Sequence, residues 1–189
     1  MISQALIPRL FPSELTHIKG RLLAVSSGVG LMFLLAQVAI PLPFTPVPVT
    51  GQTFGLLFVS LLWGRRLGFE TLLLYIGLGA LGLPLFAQFK SGLAGATSGY
   101  LLGMLAASYV IGSLADRGWG RTYVKAVLAG ALGLAVVFAC GLLILRYFIP
   151  EGTLLSAGLY PFVPGAILKL LLASGLSAHL NRSATKDGE

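Results

Sequence analysis

Residues 41–50 constrain the fold of this 189-residue chain more than any other segment. They read PLPFTPVPVT, with four prolines and no charged side chain, and apolar runs lie on both sides of them. Proline lacks the N–H that a helix interior needs, and its ring clashes with the preceding turn, so this stretch is not helical. Non-helical backbone at membrane depth is tolerated only where protein or a cavity surrounds it. The stretch therefore predicts a rigid lid or wall for a binding site.

The composition indicates an integral membrane protein. Of its residues, 56% are hydrophobic and only 10% are charged, whereas roughly 25% are charged in soluble domains. The chain holds 25 glycines, as expected where membrane helices pack closely. The net charge of +7 does not indicate a nucleic-acid partner, because the basic residues flank apolar runs and form no stripe with aromatic residues. The length fits one compact membrane domain.

The apolar runs predict an all-α membrane protein with six transmembrane helices. The expected spans are residues 22–40, 51–63, 67–86, 97–115, 124–148 and 159–180. Together they form one substrate-binding domain over residues 22–180, between a cytoplasmic or interfacial segment at 1–21 and a cytoplasmic tail at 181–189. The second run is shorter than the about 20 residues that cross a bilayer. The proline stretch must supply the remaining depth, and irregular backbone at that depth points to a binding site in transporters.

The distribution of Lys and Arg predicts that both termini are cytoplasmic. Ten of these residues fall on one side of the predicted membrane: Arg9, Lys19, Arg21, Arg65, Arg66, Arg117, Arg121, Lys125, Arg182 and Lys186. Only Lys90 and Arg146 fall on the other side. Cytoplasmic loops carry the excess of positive charge, so the proline stretch and the loops at 88–96 and 149–156 face outward. No cleavable signal peptide is expected, because the first residues lack an apolar core.

Lys169 is the most informative single residue, because it lies inside the last predicted span. An ionisable group within a membrane is costly and usually functional. Two interpretations are open: Lys169 binds an anionic group of a ligand, or its side chain extends to the outer interface. No acidic residue lies deep in an apolar run to pair with it. A ligand carboxylate is therefore its natural partner.

Several other polar residues are candidates for ligand contacts, each with a structural alternative. Gln88 offers a donor and an acceptor suited to a cyclic urea or amide, or is an ordinary loop residue. Gln37 lies near the outer end of the first span, and Gln52 and Thr53 open the second; each could bind ligand or satisfy backbone groups freed near the prolines. Thr50 is expected as the N-cap of the second span and is a further candidate ligand contact. Tyr100 is either a cavity aromatic or an interfacial belt residue.

The sequence lacks the motifs of nucleotide binding, metal binding and nucleophilic catalysis. The sequence has no phosphate-binding loop, no cluster of metal-ligating side chains and no nucleophile–base pair within the spans. We therefore expect no cofactor, no metal and no enzymatic activity. A membrane-embedded enzyme acting on lipid is the alternative from another class. A self-contained secondary transporter is disfavoured, because no carboxylate lies deep in a span to relay protons.

Several segments of the sequence resemble those of a known family. Residues 40–53, IPLPFTPVPVTGQT, are similar to the signature of the BioY biotin transporters, the substrate-binding (S) components of energy-coupling factor transporters. Further similar segments follow in order at residues 62–68, 82–87, 95–103, 114–119 and 161–169. The resemblance implies a six-helix subunit of the plasma membrane that binds biotin near the outer face. Its partners would be a transmembrane coupling protein and cytoplasmic ATPase subunits.

The resemblance also implies roles for individual residues. The loop after the first helix would cap the ligand, which makes Phe44 and Thr45 candidates. Lys169 matches the family's lysine for the valerate carboxylate, and Gln88 lies where an amide would hold the ureido ring. The family's last-helix motif, PGDxxK, reads PGAILK here, so Ala166 replaces an Asp that contacts the ring. This departure leaves open an S component for another small carboxylate-bearing ligand.

Overall fold

The chain is mostly helical in the computed structural model, which describes residues 3–186. The helices are α1 (Leu6–Leu10), α2 (Ile18–Gln37), α3 (Gln52–Ala80), α4 (Ser98–Ala115), α5 (Tyr123–Leu145), α6 (Leu154–Gly158) and α7 (Val163–Lys186). The other elements are two short strands, β1 (Ala39–Ile40) and β2 (Val49–Thr50), and 3₁₀ turns at Glu14–Thr16, Ala87–Phe89 and Trp119–Arg121. Residues 1–2 and 187–189, at the outer ends of the predicted terminal segments, lie outside the described residues.

Four helical segments of residues 3–186 are long and apolar enough to cross a membrane. They are Ile18–Gln37, Ser98–Ala115, Tyr123–Leu145 and Leu154–Ala184, the last of which joins α6 to α7. These segments correspond to the predicted first, fourth, fifth and sixth spans. The structure thus bears out an apolar helical protein with several membrane-length helices.

Most of the predicted second and third spans falls within α3, which is broken at Gly64. The backbone there has φ 74° and ψ −172°, which is not helical. A Cβ built on Gly68 would lie 3.3 Å from the Cα of Ser60, although eight residues of straight helix rise about 12 Å. The two halves of α3 therefore fold back on one another. Asp116 fixes the start of the second half, because its Oδ2 accepts a hydrogen bond from the Arg65 N–H at 3.4 Å.

Predicted helix ends were wrong by three residues or more in the first, third and fifth spans, the last of which was expected to reach residue 148 but ends at Leu145. The third span was expected to reach residue 86, but α3 ends at Ala80. Gly82 follows with φ 106° and Pro84 has no N–H to donate, so the helix cannot continue. The first span was expected to reach residue 40, but α2 ends at Gln37 because the next residues pair as β1.

Helix α2 lies at the edge of the bundle and packs mainly on α3. Only 17% of its membrane-length window is buried, compared with 56% for α4. Close contact is possible because Gly28 meets the side chain of Thr71, where a Cβ would lie 2.7 Å from the methyl carbon. The Trp63 Nε1–H donates to the carbonyl of Ala24 at 2.9 Å, and Arg21 forms an ion pair with Glu70.

The two ends of the described chain meet at one end of the bundle. The Ser3 hydroxyl donates to the Asp116 Oδ1 at 2.6 Å, and Arg9 donates to the carbonyl of Asn181 at 3.4 Å. Asn181 lies twelve residues beyond Lys169 on α7, or about 18 Å along the helix axis. Any site around Lys169 is therefore well separated from this end.

Candidate functional site

A cavity of about 270 Å³ lies at the end of the bundle that carries the proline stretch. Its walls come from the loop between β1 and β2, the first turn of α3, the loop between α3 and α4, and the facing sides of α4, α5 and α7. Small-molecule sites typically enclose about 300–1,000 Å³. The cavity thus suits a compact ligand and is too small for a folded segment of another protein.

The proline stretch forms one wall of this cavity. Strands β1 and β2 pair antiparallel, with Ala39 opposite Thr50, and the Gly51 N–H donates to the carbonyl of Val38 at 2.9 Å. These bonds close residues 41–48 into a loop, hereafter the cap loop. Pro46, Val47 and Pro48 line the cavity. The wall predicted from the prolines is therefore present.

Lys169 lines the cavity and does not extend away from it. Its Nζ donates to the carbonyl of Thr50 at 2.6 Å and to the Thr53 hydroxyl at 3.2 Å. An ammonium has three donors, so one remains for a ligand. No acidic side chain is among the lining residues that the structure describes. The half-buried charge of Lys169 therefore attracts an anion into this space.

Thr50 and Gln52 complete the polar side of the cavity beside Lys169. The Thr50 hydroxyl donates to Gln52 Oε1 at 3.1 Å, and Gln52 Nε2 donates to the Tyr75 hydroxyl at 2.8 Å. Tyr75 in turn donates to the carbonyl of Leu85 at 3.0 Å. This series of hydrogen bonds holds the buried Gln52 amide at the cavity wall, and the second N–H of the amide remains available for a ligand. Thr50 was wrongly predicted as the N-cap: the N-cap is Gly51, because Thr50 is paired in β2.

Tyr100 is a cavity aromatic rather than a membrane-interface residue. Its hydroxyl donates to the carbonyl of Gly158 at 2.7 Å, and its ring lies 6.4 Å from that of Phe162. The ring fits because Gly141 faces it, and a Cβ there would lie 2.3 Å from the ring. Together with Met104 and Phe162, Tyr100 provides an apolar surface across from the polar residues.

Three residues predicted for the site do not line the cavity in this structure. Gln88 is exposed in the 3₁₀ turn Ala87–Phe89, where its backbone has φ 59°. Phe44 is 60% exposed on the outer side of the cap loop. Thr45 is buried, but its hydroxyl accepts the Val47 N–H at 3.3 Å and thereby shapes the cap loop. These three side chains lie outside the cavity because of the direction in which the backbone of each turn points them.

The structure gives Thr53, a candidate from the sequence, a contact with the cavity lysine, and adds two cavity residues that the sequence did not single out. Thr53 lies one turn after Thr50 and shares Lys169 with it. Phe86 and Lys90 come from the loop between α3 and α4, and Lys90 is a second, exposed cation at the cavity. Nothing in the sequence pattern distinguishes Phe86 from other aromatic residues near the membrane surface.

Ala166 lies at the cavity wall, three residues before Lys169 on α7. It is 6% exposed and lines the cavity. Residues three apart on a helix share a face, so Ala166 and Lys169 face the same space. An acidic side chain at position 166 would therefore enter the cavity. The alanine leaves this wall apolar beside the lysine.

Comparison with known proteins adds independent findings. The model of the BioY family matches residues 12–186. The chain is 31% identical over 162 residues to "Biotin transporter BioY" of Thermotoga maritima, which covers 84% of this chain and 95% of that protein. It is 34% identical over 148 residues to "Probable biotin transporter BioY" of Pyrococcus horikoshii, covering 77% and 86% of the two chains.

The fold also matches a solved structure. It is similar to the crystal structure of the S-component for biotin from an ECF-type ABC transporter, with a TM-score of 0.78 and 24% identity. The match covers 86% of this chain and 90% of that one. At this identity the likeness concerns the fold alone.

Proposed function

The chain belongs to the BioY family, and from this premise we propose that it binds biotin and mediates biotin uptake as the S component of an energy-coupling factor transporter. The observation that carries this proposal is Lys169, a cation held in a cavity whose described lining contains no acid. Biotin carries one carboxylate, which such a cation attracts. The named relatives are transporters, so the alternative of a lipid-modifying enzyme is set aside.

We assign the ligand's polar ends to the polar wall. The carboxylate meets Lys169, whose third N–H points to no partner within the described residues. Gln52 offers a further N–H and a carbonyl lone pair for the ureido ring, and so supplies contacts that an Asp at position 166 would otherwise make. Tyr100 and Phe162 cover the apolar part of the ligand. In this structure Gln88, Phe44 and Thr45 support the proposal only as parts of the surrounding loops.

A second candidate function rests on Ala166. Without an acid at this position the cavity offers one fewer acceptor for a ring N–H, and the polar wall is dominated by donors. A small carboxylate-bearing ligand with fewer ring N–H groups than biotin would suit such a wall. An S component for a ligand of that kind is therefore the alternative.

The proposal also includes a topology and a location. Counting the two halves of α3 separately gives six spans in the plasma membrane, with both termini cytoplasmic and the cavity facing outward. Two contacts at the end away from the cavity support this arrangement: Ser3 with Asp116, and Arg9 with Asn181. Coupling would then use a transmembrane coupling protein and cytoplasmic ATPase subunits, which approach from the side opposite the cavity.

A binding titration tests the proposed function. Purified protein in detergent is titrated with biotin by calorimetry, and labelled biotin is displaced with unlabelled biotin or with a short aliphatic carboxylate. We expect a nanomolar dissociation constant, which corresponds to about −12 kcal/mol, and displacement by biotin alone. No heat and no displacement by excess biotin would refute the proposal and favour the second candidate.

A further inference from the structure

The side chain of Gln37 joins the end of α2 to the loop between α3 and α4 at two points. Its Nε2 donates to the carbonyl of Phe86 at 3.3 Å, and its Oε1 accepts the N–H of Phe89 at 3.1 Å. The amide orientation is fixed, because a backbone carbonyl only accepts and a backbone N–H only donates. One side chain therefore holds both sides of the turn Ala87–Phe89.

This turn has a disfavoured backbone. Gln88 has φ 59° and Phe89 has φ 56°, and neither is glycine. In this region the Cβ of an L-residue crowds the following carbonyl oxygen. Such conformations persist only where surrounding contacts enforce them, and they cluster at ligand clamps. Within the loop, the Phe86 N–H donates to the carbonyl of Lys90 at 2.9 Å. Gln37 adds two hydrogen bonds to this turn from outside the loop.

The restrained turn is also a wall of the cavity. Phe86, Ala87 and Lys90 all line it. The Phe86 ring is 5% exposed and lies edge-on to the ring of Tyr75, with centroids 5.6 Å apart. The position of this wall therefore depends on the turn keeping its left-handed conformation.

Gln37 also directly precedes the residue that closes the cap loop. The next residue, Val38, accepts the Gly51 N–H, and this bond closes the base of the cap loop. The cap loop contributes Pro46 and Pro48 to the cavity wall. Gln37 is thus the point at which the two loops that line the cavity are fastened to the same helix end.

We propose that Gln37 is a positioning residue for ligand retention. It holds the turn Ala87–Phe89 against the end of α2, and so keeps the cap loop and the loop between α3 and α4 together over a bound ligand. The identity of that ligand rests on the proposed function. Because release requires the loops to part, loss of Gln37 acts on dissociation more than on association.

The first experiment measures biotin dissociation from the Gln37→Met protein. Methionine keeps the length of the side chain and loses both hydrogen bonds to the turn, together with the one that Nε2 donates to the Phe33 carbonyl within α2. We expect dissociation to quicken about tenfold and association to change less than about threefold, as affinity changes within one interface fall mostly on the off-rate. An unchanged dissociation rate would overturn the proposal. If this variant does not fold, Gln37→Glu is tested instead. It loses the Nε2 donors to the carbonyls of Phe86 and Phe33 but keeps an acceptor for Phe89. It is expected to release ligand faster than wild type, and an unchanged rate overturns the proposal.

A matched pair of second substitutions tests whether Gln37 acts by positioning the turn Ala87–Phe89 or by weakening ligand binding in general. Phe89→Gly and Phe89→Ala, each added to Gln37→Met, both remove the ring that packs edge-on against Phe33 at 6.2 Å. Only glycine adopts φ 56° without crowding. We expect Phe89→Gly to return dissociation toward the wild-type rate and Phe89→Ala not to do so. Equal effects of the two substitutions would mean that Gln37 does not act through the turn.

A ligand-free measurement keeps this proposal distinct from the proposed function. Hydrogen–deuterium exchange of residues 86–92 is compared between wild type and Gln37→Met without any ligand. The Phe89 amide should exchange faster in the variant, because it loses its acceptor. Unchanged exchange overturns the restraint itself, even if biotin binds. Faster exchange in a protein that does not bind biotin supports the restraint and refutes only the ligand assignment.

Discussion

The Nζ of Lys169 donates a hydrogen bond to the backbone carbonyl of Thr50 at 2.6 Å, across 119 residues of chain. The bond joins the last helix to the residue at which the cap loop ends. An incoming carboxylate would take the remaining N–H of the same ammonium. Ligand binding and the position of the cap loop are therefore linked through one side chain.

Replacing Lys169 with Met should weaken biotin binding at least tenfold, because a hydrogen bond to a charged group contributes about 1.5–3 kcal/mol. Binding of biotin methyl ester, which has no carboxylate, should change much less. Displacement of labelled biotin by the acid and by the ester measures both. Equal losses for acid and ester would show that Lys169 does not meet the carboxylate.

Lys90→Met is the matched control for this prediction. Lys90 also lines the cavity, but it is exposed to water. An exposed ion pair contributes about 0–1 kcal/mol, so the loss should stay below about fivefold. A larger loss than in Lys169→Met would move the carboxylate site to the loop between α3 and α4.

The sequence predicted those parts of the site that depend on a charged or helix-breaking residue in an apolar segment. A lysine inside an apolar run and a proline stretch between two apolar runs both indicated a cavity. Lys169 and Pro46 both line one. It could not predict the direction of Gln88, because that depends on two successive left-handed residues held by a distant amide. For Gln37 the sequence could indicate only a ligand contact or a partner for backbone groups. That these groups belong to Phe86 and Phe89 depends on tertiary contacts.

Gly64→Ala should destabilise the protein strongly. The backbone at Gly64 has φ 74°, and a Cβ would lie 2.2 Å from the Asp116 Oδ1. Because alanine does not fit this conformation, we expect a loss of more than about 1 kcal/mol and a lower unfolding temperature in detergent. Scanning fluorimetry measures the change.

Gly77→Ala provides the control on the same helix. Apart from its own helix backbone and its chain neighbours, no described atom lies within 4 Å of a Cβ built there, and alanine favours helix over glycine by about 1 kcal/mol. The unfolding temperature should stay the same or rise. If both variants were equally destabilised, the break at Gly64 would not explain the result.

Tyr100→Phe should lower stability slightly and leave most of the biotin affinity. The substitution removes the hydrogen bond to the carbonyl of Gly158, and a net loss of about 0.5–1.5 kcal/mol is expected. The ring that covers the ligand remains. Tyr100→Ala removes the ring too and should weaken binding further. Titrations of both variants compare them, and equal affinities would place the ligand away from this wall.

Ala166→Asp tests how the cavity works without the acid of the family motif. Ala166 faces the cavity three residues before Lys169, so the new carboxylate could accept a ureido N–H or pair with the lysine. We expect the first outcome, because the family motif retains both residues, with a gain of about 0.5–1.5 kcal/mol for one net hydrogen bond. Ala166→Asn is the uncharged control and should gain less, since hydrogen bonds to charged groups are stronger. Calorimetric titration of biotin against the three proteins decides between the outcomes. A large loss of affinity in Ala166→Asp alone would mean that the carboxylate neutralises Lys169, and that this cavity is organised for a ligand with fewer ring donors.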